Sequence, residues 1–253
     1  MKKYLKIIFV IIAIIIFIII LSIFLLYKNQ TVAVLGYHNF TNEPSSNEMQ
    51  INIDKFKQQM SYLKKHHYHT LTLEEMECFL NKTCKIPKKS VLITMDDGYL
   101  SNYDLAFPIL KEYDFNAVVF YMGVNSKESN NTYMNLDTIK KARIEYPQIE
   151  FASHTYDLHH PEDYQLDFET IDKDFIKQDK ILHTFYFAYP YGHVSDNFIK
   201  ALEKNNYKLA FTFGPDKEHR KAKQTDDKYH IPRLNISASM PLWKFKLRLI
   251  IPF

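Results

Sequence analysis

Glycine is scarce in this sequence, and no segment of it repeats. Only 5 of the 253 residues are glycine, whereas 18 are tyrosine and 19 are phenylalanine. A chain that is so rich in aromatic side chains and so poor in glycine is not a disordered or low-complexity polypeptide. Its length suffices for one sizeable domain with its own hydrophobic core.

Cysteine is also rare. The only two cysteines, Cys78 and Cys84, lie in the segment CFLNKTC. They lack the C-x-x-C spacing of a metal knuckle, and neither has the setting of a catalytic thiol. Outside the cytoplasm they could form a disulfide that closes a short loop. Two unpaired thiols, one of them packed under a helix, are the alternative, and the sequence leaves both open.

Most of the chain has almost no net charge. Residues 1–30 contain four lysines and no acidic residue, so the rest of the chain carries 28 basic and 29 acidic side chains. This balance gives no support to a nucleic-acid-binding surface, which would need an excess of lysine and arginine. We therefore expect no nucleic-acid partner.

One long apolar run lies at the N-terminus. From Ile7 to Leu26 the only polar residue is Ser22, and a run of this length can span a bilayer as a helix. Three lysines precede the run and one follows it, which predicts a cytoplasmic N-terminus. A cleaved signal peptide is the alternative, but its apolar core is usually shorter and no small-residue cleavage site is evident. We therefore predict a cytoplasmic tip and a single-pass membrane anchor in residues 1–30 and an extracytoplasmic domain in residues 31–253.

Strand-like and helix-like patterns alternate after this segment. The strand-like segments are Val32–Tyr37, Ser90–Met95, Ala117–Met122, Ile149–Ala152, Thr184–Ala188, Lys208–Phe213 and Ile231–Ile236. The helix-like segments are Asp54–His67, Leu73–Leu80, Tyr103–Tyr113, Leu136–Glu145, Asp167–Leu182 and Asp196–Asn205. Alternation of this kind predicts an α/β fold with parallel strands and helical crossovers. Seven strands in about 220 residues suit a barrel better than an open sheet.

Polar residues follow several of these strands. His38 ends the first strand, Asp96 and Asp97 follow the second, His154 follows the fourth, and Tyr189–Gly192 follows the fifth. In an α/β barrel the carboxyl ends of the strands share one mouth, where active sites form. We therefore expect these dispersed residues to be neighbours.

Two segments carry the chemistry. In ITMDDGY, the adjacent side chains of Asp96 and Asp97 point in different directions because they follow an extended strand. One can bind a cation while the other stays free as a base, although an Asx-type turn that caps the next helix is the structural alternative. In SHTYDLHH, three histidines lie within seven positions. A His-rich surface loop fits that spacing equally well, because such spacing alone is a weak signal.

Four segments together resemble the motifs of the polysaccharide deacetylases, the NodB-homology enzymes of carbohydrate esterase family 4. TMDDGY is similar to their T-F-D-D-G motif, SHTYDLHH to their H-[ST]-x-x-H metal motif and FAYPYG to their third motif. LGYHNF resembles the Y-H block of the circularly permuted subgroup, which deacetylates poly-β-1,6-N-acetylglucosamine. The segments occur in the order of that subgroup, and the resemblance as a whole covers residues 32–236. Four motifs in order are far more specific than any one of them.

The resemblance implies a fold and an activity. The fold would be a distorted (β/α)7 barrel of the NodB type, with a circularly permuted motif order. The activity would be metal-dependent N-deacetylation of an extracellular N-acetylglucosamine polymer, with the β-1,6-linked biofilm polymer as the first candidate. A peptidoglycan or chitin-type deacetylase and an O-acetyl esterase of the same family are alternatives. An inactive glycan-binding barrel is the alternative from another class.

The resemblance also implies a metal site. Asp97, His154 and His159 would be the ligands, and His160 would be a neighbour. The common family spacing between the two histidines is i to i+4, but Leu158 occupies that position here. The permuted subgroup uses i to i+5, which selects His159. One carboxylate and two imidazoles suit Zn²⁺, and Co²⁺, Ni²⁺ or Fe²⁺ would also fit.

Three further residues receive catalytic roles by the same resemblance. Asp96 would be the general base, and His38 the acid that protonates the leaving amine. The backbone N–H of Tyr191 would stabilise the oxyanion.

The sequence departs from the family pattern in two places. The arginine that pairs with the base in many members is replaced by Ala188, and we predict that Arg233, in HIPRLNI, supplies its charge. The late L-x-I-H block of the unpermuted enzymes is missing, because His230 precedes its strand instead of following it. His38 taking that role is consistent with permutation.

The C-terminal segment MPLWKFKLRLIIPF alternates basic and apolar residues around Trp243. We expect a helix that closes the barrel, with an interfacial segment on the membrane as the alternative. A domain held at the membrane would lie close to the synthase or export machinery of the polymer, which would then be its partner.

Overall fold

The computed structural model describes residues 4, 8–18, 30–127, 129, 131–213 and 220–251. Residues 8–18 are helical, and the rest of the predicted anchor between Ile7 and Leu26 lies outside the described residues. Within the described part of the chain, no helix combines the length and the apolar character needed to cross a bilayer. The membrane anchor therefore stays a prediction.

Twelve strands are described, and most of them belong to one sheet. They are β1 (Thr31–Tyr37), β2 (Asn39–Thr41), β3 (Gln50–Asn52), β4 (His69–Thr70), β5 (Ser90–Met95), β6 (Ala117–Tyr121), β7 (Ile149–Ser153), β8 (Tyr186–Ala188), β9 (Leu209–Thr212), β10 (Ala222–Lys223), β11 (Ile231–Pro232) and β12 (Leu234–Asn235). Parallel pairing runs from β1 through β5, β6, β7, β8 and β9 to β11.

The sheet nearly closes on itself. β11 pairs with β9, and β12, which begins two residues after β11 ends, pairs in parallel with β1. The segment Ile231–Asn235 therefore joins the last strand of the sheet to the first and leaves Arg233 between its two halves. The prediction of a barrel-like α/β fold is confirmed, and each of the seven predicted strands is present, with the last one divided into β11 and β12.

Six α-helices of the described residues lie between these strands in the chain, and a further one follows β12. Their bounds are Ile53–Lys65, Leu73–Asn81, Phe107–Tyr113, Leu136–Glu145, Phe168–Ile181, Asp196–Lys204 and Leu242–Ile250. Side chains of Asn52, Thr72, Asn135, Asp167 and Ser195 accept hydrogen bonds from backbone N–H groups in the first turns. These caps satisfy N–H groups that have no partner within the helix. The helix predicted to begin at Asp54 begins at Ile53, and Asn52 is its cap.

The predicted helix Tyr103–Tyr113 is divided. A π-helical turn, Asn102–Ala106, precedes the α-helix Phe107–Tyr113. Pro108 has no N–H to donate to the carbonyl of Asp104, so an α-helical hydrogen bond is missing there. The wider turn, in which Phe107 N–H donates to Asn102 O, accommodates this gap.

The hydrophobic core has an inner and an outer part, as a barrel requires. Along β1, Val32 and Val34 pack in one cluster with Phe120 and Phe211, whereas Leu35 packs in another cluster among the outer helices. Alternate residues of a strand point to opposite faces of the sheet. The inner cluster therefore fills the barrel, and the outer one joins the sheet to its helices.

The helix Leu73–Asn81 closes the base of the barrel, where the strands begin. Leu73 N–H donates to Glu150 at the start of β7, and Tyr186 at the start of β8 donates to Glu77. Cys78, near the end of this helix, forms a disulfide with Cys84. Of the two alternatives that the sequence left open, the structure shows the disulfide.

The helix Leu242–Ile250 packs against the barrel through one face. Phe245 and Leu249 are buried, and the Phe245 ring lies 6.5 Å from the ring of Tyr62 on the helix Ile53–Lys65. A C-terminal helix that closes the barrel, as the sequence led us to expect, requires a contact of this kind. Trp243 is 66% exposed on the outer face of the helix.

Candidate active site

The strand β5 delivers two carboxylates to the mouth of the barrel. Asp96 N–H still donates to Tyr37 O of β1 at 3.0 Å, whereas Asp97 has a positive φ of 67°. This change of backbone direction turns the two side chains apart. Asn125 Nδ2 donates to the Asp97 carbonyl at 3.0 Å and holds the turn in place. The adjacent acids therefore face different surroundings, and each can have its own role.

Asp97 faces two imidazoles. Its Oδ1 lies 3.5 Å from His154 Nε2 and 3.1 Å from His159 Nε2. The three donor atoms all lie within 4.8 Å of one another. Asp97 Oδ1 is buried and accepts no hydrogen bond of good geometry from the described residues. One carboxylate and two imidazoles converging on one point are a donor set that fits a divalent metal ion with an open position.

The orientation of His154 supports this fit. Its Nδ1 lies 2.7 Å from the carbonyl oxygen of Ala188, so Nδ1–H donates and the lone pair of Nε2 faces Asp97. A hydrogen bond of this kind on the second ring nitrogen is common in histidines that bind metals. Ala188, which the motif resemblance places where many polysaccharide deacetylases have an arginine, thus contributes its backbone carbonyl to the site.

The protonation states suit the same interpretation. Burial lowers the pKa of His154 to about 4, so its imidazole is neutral near pH 7. Burial acts to raise the pKa of Asp97, but the imidazoles of His159 and His154 outweigh it and hold that pKa at about 2. Burial acts to lower the pKa of His159, and the neighbouring Asp97 more than offsets it and raises that pKa. The Asp97 carboxylate thus favours positive charge at His159, and a metal ion bound there would compete with a proton for the same nitrogen.

Asp96 is paired with Arg233. The guanidinium donates from Nη1 to Oδ1 at 2.6 Å and from Nη2 to Oδ2 at 2.8 Å. Arg233 is completely buried and Asp96 is 1% exposed. Burial acts to raise the pKa of Asp96, but the Arg233 charge and hydrogen bonds lower it overall. The structure thus brings Arg233 to the carboxylate that the sequence predicted as its partner.

Phe213 fixes the position of Arg233. The guanidinium carbon lies 3.9 Å from the centre of the Phe213 ring, and His38 stacks with that ring at 5.8 Å. The strand residue Gly36 leaves room for Phe213, because a Cβ at Gly36 would collide with the ring. Sequence reasoning missed Phe213, because a phenylalanine at the end of a predicted strand gave no signal of this role.

His38 lies at the edge of the same group. Its Nε2 is 3.8 Å from Asp96 Oδ2, and the residue is 9% exposed. Its Nδ1 has no hydrogen-bond partner among the described residues. The imidazole is therefore close enough to the mouth to exchange a proton with a bound group, and Phe213 restricts its rotation.

Tyr191 completes the mouth from the loop after β8. Its φ is 56°, its side chain is 49% exposed, and its ring lies 5.0 Å from the ring of His159. Its hydroxyl donates to His159 O at 3.3 Å. Within the described part of the chain, no group accepts the backbone N–H of Tyr191. That N–H is available to a substrate oxygen.

Two histidines weighed at the sequence level lie outside the cluster. His160 is exposed, and its backbone N–H donates to Asp163. His230 is exposed and lies 3.3 Å from Asp227. Neither belongs to the group of possible metal ligands found among the described residues.

Comparison with known proteins identifies the family. The family model described as "Polysaccharide deacetylase" matches residues 84–210, about half of the chain. The chain belongs to the polysaccharide deacetylase family. The family prediction is therefore confirmed, and the chain is a hydrolase that acts on carbon–nitrogen bonds.

Two curated relatives are similar to this chain over most of its length. Both are named poly-beta-1,6-N-acetyl-D-glucosamine N-deacetylase. The relative from Staphylococcus epidermidis is 30% identical over 248 residues, covering 84% of this chain and 81% of the relative. The relative from Staphylococcus aureus is 31% identical over 242 residues, with the same shares.

Solved structures show the same fold. IcaB from Ammonifex degensii has a TM-score of 0.71 at 26% identity and covers 87% of this chain and 97% of its own. The deacetylase PplD of Streptococcus pyogenes, solved with acetate, has a TM-score of 0.76 at 24% identity. It covers 88% of this chain and 99% of its own. At that identity it supports the barrel-like fold alone.

Proposed function

We propose that the protein removes N-acetyl groups from poly-β-1,6-N-acetylglucosamine in a metal-dependent reaction. One observation carries the proposal. The Asp97, His154 and His159 donors lie beside Asp96, an acid that Arg233 keeps ionised. The names of the curated relatives support this polymer as the substrate. Free amines on the product become cations, which would let the polymer adhere to anionic surfaces in a biofilm matrix.

A divalent cation held by Asp97, His154 and His159 would supply the Lewis acidity that acidifies water and polarises an acetyl carbonyl. The donor set supports Zn²⁺, and Co²⁺, Ni²⁺ or Fe²⁺ would also fit it. The chain's own residues supply the remaining parts of the reaction.

Asp96 accepts the proton of the attacking water. Its lowered pKa keeps it ionised near neutral pH, and Arg233 fixes both of its oxygens. The Tyr191 N–H donates to the oxygen that becomes negative as the amide carbon turns tetrahedral. His38 protonates the departing amine, which is a poor leaving group without that proton.

A catalytically inactive glycan-binding barrel is less consistent with this arrangement. A binding protein gains nothing from a buried carboxylate and a buried guanidinium beside a metal site, because desolvating two charges is costly. Peptidoglycan or chitin-type deacetylases and O-acetyl esterases share the same chemistry. Substrate linkage is therefore the point that the experiment must decide.

The deciding experiment measures amine release from acetylated β-1,6 and β-1,4 glucosamine oligomers, with and without a chelator. The proposal expects release from the β-1,6 oligomer that a chelator abolishes and added Zn²⁺ restores. Preference for the β-1,4 oligomer would assign the protein to the alternative class of deacetylases. The absence of metal-dependent release from either oligomer would refute the enzymatic proposal.

We also propose that residues 1–30 anchor the domain in the cell membrane. The support is the apolar run Ile7–Leu26, which ends close to β1. Gln30 donates to the carbonyls of Ile86 and Pro87 at the base of the barrel, so the anchor would lie at the end opposite the catalytic mouth. β1 has seven residues, which places the mouth about 20 Å from the base.

Such an orientation would leave the mouth open to a polymer delivered by the synthase or export machinery, which we propose as partner. Vesicle flotation of the full chain and of residues 30–253 tests the anchor. We expect only the full chain to float with the vesicles. Equal flotation of both forms would contradict the anchor, and equal processing of preformed external polymer by both would argue against delivery by the synthase.

A further inference from the structure

The segment that carries His159 is a tight loop of unusual shape. Thr155 has a positive φ of 72°, and its Oγ1 donates to Leu158 O at 3.1 Å. His159 N–H donates to Asp157 O at 3.1 Å. These contacts shorten the path between His154 and His159, so two histidines five residues apart reach the same Asp97 oxygen.

A buried acid from a neighbouring helix holds this loop. Asp174, on the helix Phe168–Ile181, accepts from Tyr156 N–H at 2.7 Å through Oδ1 and from Asp157 N–H at 2.9 Å through Oδ2. The residue is 6% exposed. Charged acceptors bind backbone N–H groups more strongly than neutral ones. One carboxylate therefore fixes two consecutive peptide groups between the two histidines.

The opposite side of the loop rests on the 3₁₀ turn Gly123–Lys127. Gly123 N–H and Val124 N–H donate to the carbonyls of Thr155 and Tyr156 at 3.1 and 2.8 Å. The same turn supplies Asn125, which holds the carbonyl of Asp97. The turn thus connects the histidine loop with the carboxylate that faces it.

Gln178, which lies one helical turn after Asp174, makes a further contact beside the loop. Its Nε2 donates to Tyr121 O at 2.9 Å, and the same oxygen accepts from His154 N–H at 3.1 Å. Gln178 is completely buried. Residues four positions apart share one face of a helix, so Asp174 and Gln178 reach the loop and the strand end together.

A contribution to the stability of the fold does not explain why a carboxylate is buried at position 174. Its partners are backbone N–H groups, and burial raises its pKa to about 6. A buried carboxylate without a closely paired cation costs free energy. That cost is reasonable if the carboxylate orders a loop on which the reaction depends.

We propose that Asp174 is a positioning residue that holds the His154–His159 loop in its metal-binding conformation and makes the five-residue spacing functional. The inference rests on the metal centre of the proposed function and adds a residue outside the metal ligands to it. Asp174 would act through the loop backbone, without touching the metal or the substrate.

The experiment compares Asp174→Asn with Asp172→Asn in the full chain. Asp172 is a matched control because it is also buried on the same helix and has two polar partners, Lys204 and Asn205, at 2.7 and 2.9 Å. The affinity for Zn²⁺ is measured by competition with a chelator. The Co²⁺-substituted proteins are compared by their visible absorption spectra, which report ligand geometry. Thermal unfolding of the metal-free proteins reports the fold.

We expect Asp174→Asn to weaken Zn²⁺ binding roughly 10- to 100-fold, as is typical for residues that orient metal ligands. Its Co²⁺ spectrum should change, whereas Asp172→Asn should keep the affinity and the spectrum of the unaltered protein. Equal affinities and spectra for all three proteins would overturn the positioning role of Asp174. They would not contradict the proposed deacetylation reaction. Failure of the unaltered protein to bind metal would overturn this proposal and the metal-dependent reaction together.

A second variant approaches the loop from its other side and serves if Asp174→Asn does not fold. A Cβ at Gly123 would collide with Gln178 Oε1 and the ring of Tyr156. Gly123→Ala should therefore displace the loop and weaken Zn²⁺ binding in the same way. A folded Gly123→Ala protein with unchanged affinity would contradict the proposal.

Discussion

Arg233, in the segment that closes the sheet, donates hydrogen bonds to both carboxylate oxygens of Asp96. The two residues are 137 positions apart, and Arg233 lies between β11 and β12 in the chain, where the sheet closes. Ala188, at the position that the motif resemblance assigns to the family arginine, carries no charge. Closure of the barrel and orientation of the proposed base therefore depend on the same five-residue segment, Ile231–Asn235.

Replacing Arg233 by alanine should impair both stability and activity. Asp96 would stay buried without its partner, which typically costs about 3–5 kcal/mol of unfolding free energy. The loss of the positive charge also raises the pKa of Asp96. Because the base must be ionised, the acid limb of the pH profile of kcat/KM should move to higher pH.

The measurement is kcat/KM across pH, together with thermal unfolding. Arg143→Ala, which removes an exposed arginine, is the control and should change neither quantity. An Arg233→Ala protein with an unaltered pH profile would exclude Arg233 as the partner of the base. Asp96→Asn keeps the shape of the side chain and should remove activity at every pH.

Replacing His38 by alanine should affect amides more than activated esters. An amine cannot leave without a proton, whereas the phenolate of an aryl acetate can. General acid catalysis contributes roughly 10²- to 10⁴-fold, so deacetylation of the glucosamine oligomer should fall by about that factor while aryl acetate hydrolysis changes little.

The control for this experiment is His183→Ala, at an exposed histidine near the base of the barrel. Equal losses on both substrates would show that His38 serves the structure of the site instead of leaving-group protonation. Full activity of His38→Ala on the oligomer would contradict the assignment that follows from the permuted motif order.

His159 and His160 form a natural pair for testing the metal ligands. His159 Nε2 lies 3.1 Å from Asp97, whereas His160 is exposed and outside the donor cluster. His159→Ala should therefore lose Zn²⁺ binding and deacetylation, because two donors cannot replace three. His160→Ala should retain both, as measured by chelator competition and amine release. If His160→Ala lost both properties and His159→Ala retained them, the second histidine ligand would be His160.

Apolar segments made most of the barrel predictable from sequence. Long runs such as Ser90–Met95 can only be buried, and polar residues mark where they end. The sequence did not reveal the parallel pair β2–β3, whose strands have three residues each and little periodicity. The sequence also did not predict that the last strand is divided into β11 and β12. This division depends on which strands the two halves pair with across the barrel.

In the candidate site, sequence patterns located the residues that bear the chemistry but not those that hold them. Asp97 and His154 follow strands in recognisable motifs. Phe213 and Asp174 act through contacts that arise only when distant segments fold together. An aspartate in the middle of a surface helix looks like an ordinary solvated side chain until its helix is placed against the loop.

The disulfide should matter for stability and little for catalysis. Cys78 and Cys84 close a loop of six-residue separation at the base of the barrel, far from the mouth. Loop-closure entropy for so short a loop corresponds to about 2 kcal/mol. The double replacement by serine should lower Tm by a few degrees and leave kcat/KM unaltered. A loss of activity in folded protein at low temperature would show that the base of the barrel communicates with the site.

Substitutions at Tyr191 distinguish its backbone from its side chain. If the N–H is the oxyanion donor, Tyr191→Phe should keep kcat within about twofold, because it removes only an exposed hydroxyl 3.3 Å from His159 O. Tyr191→Gly also keeps the N–H, and glycine readily adopts the φ of 56° found here. It removes the ring that packs on His159, so KM should rise more than kcat falls. A fall in kcat of roughly 10²-fold in Tyr191→Phe would instead identify the hydroxyl as the donor.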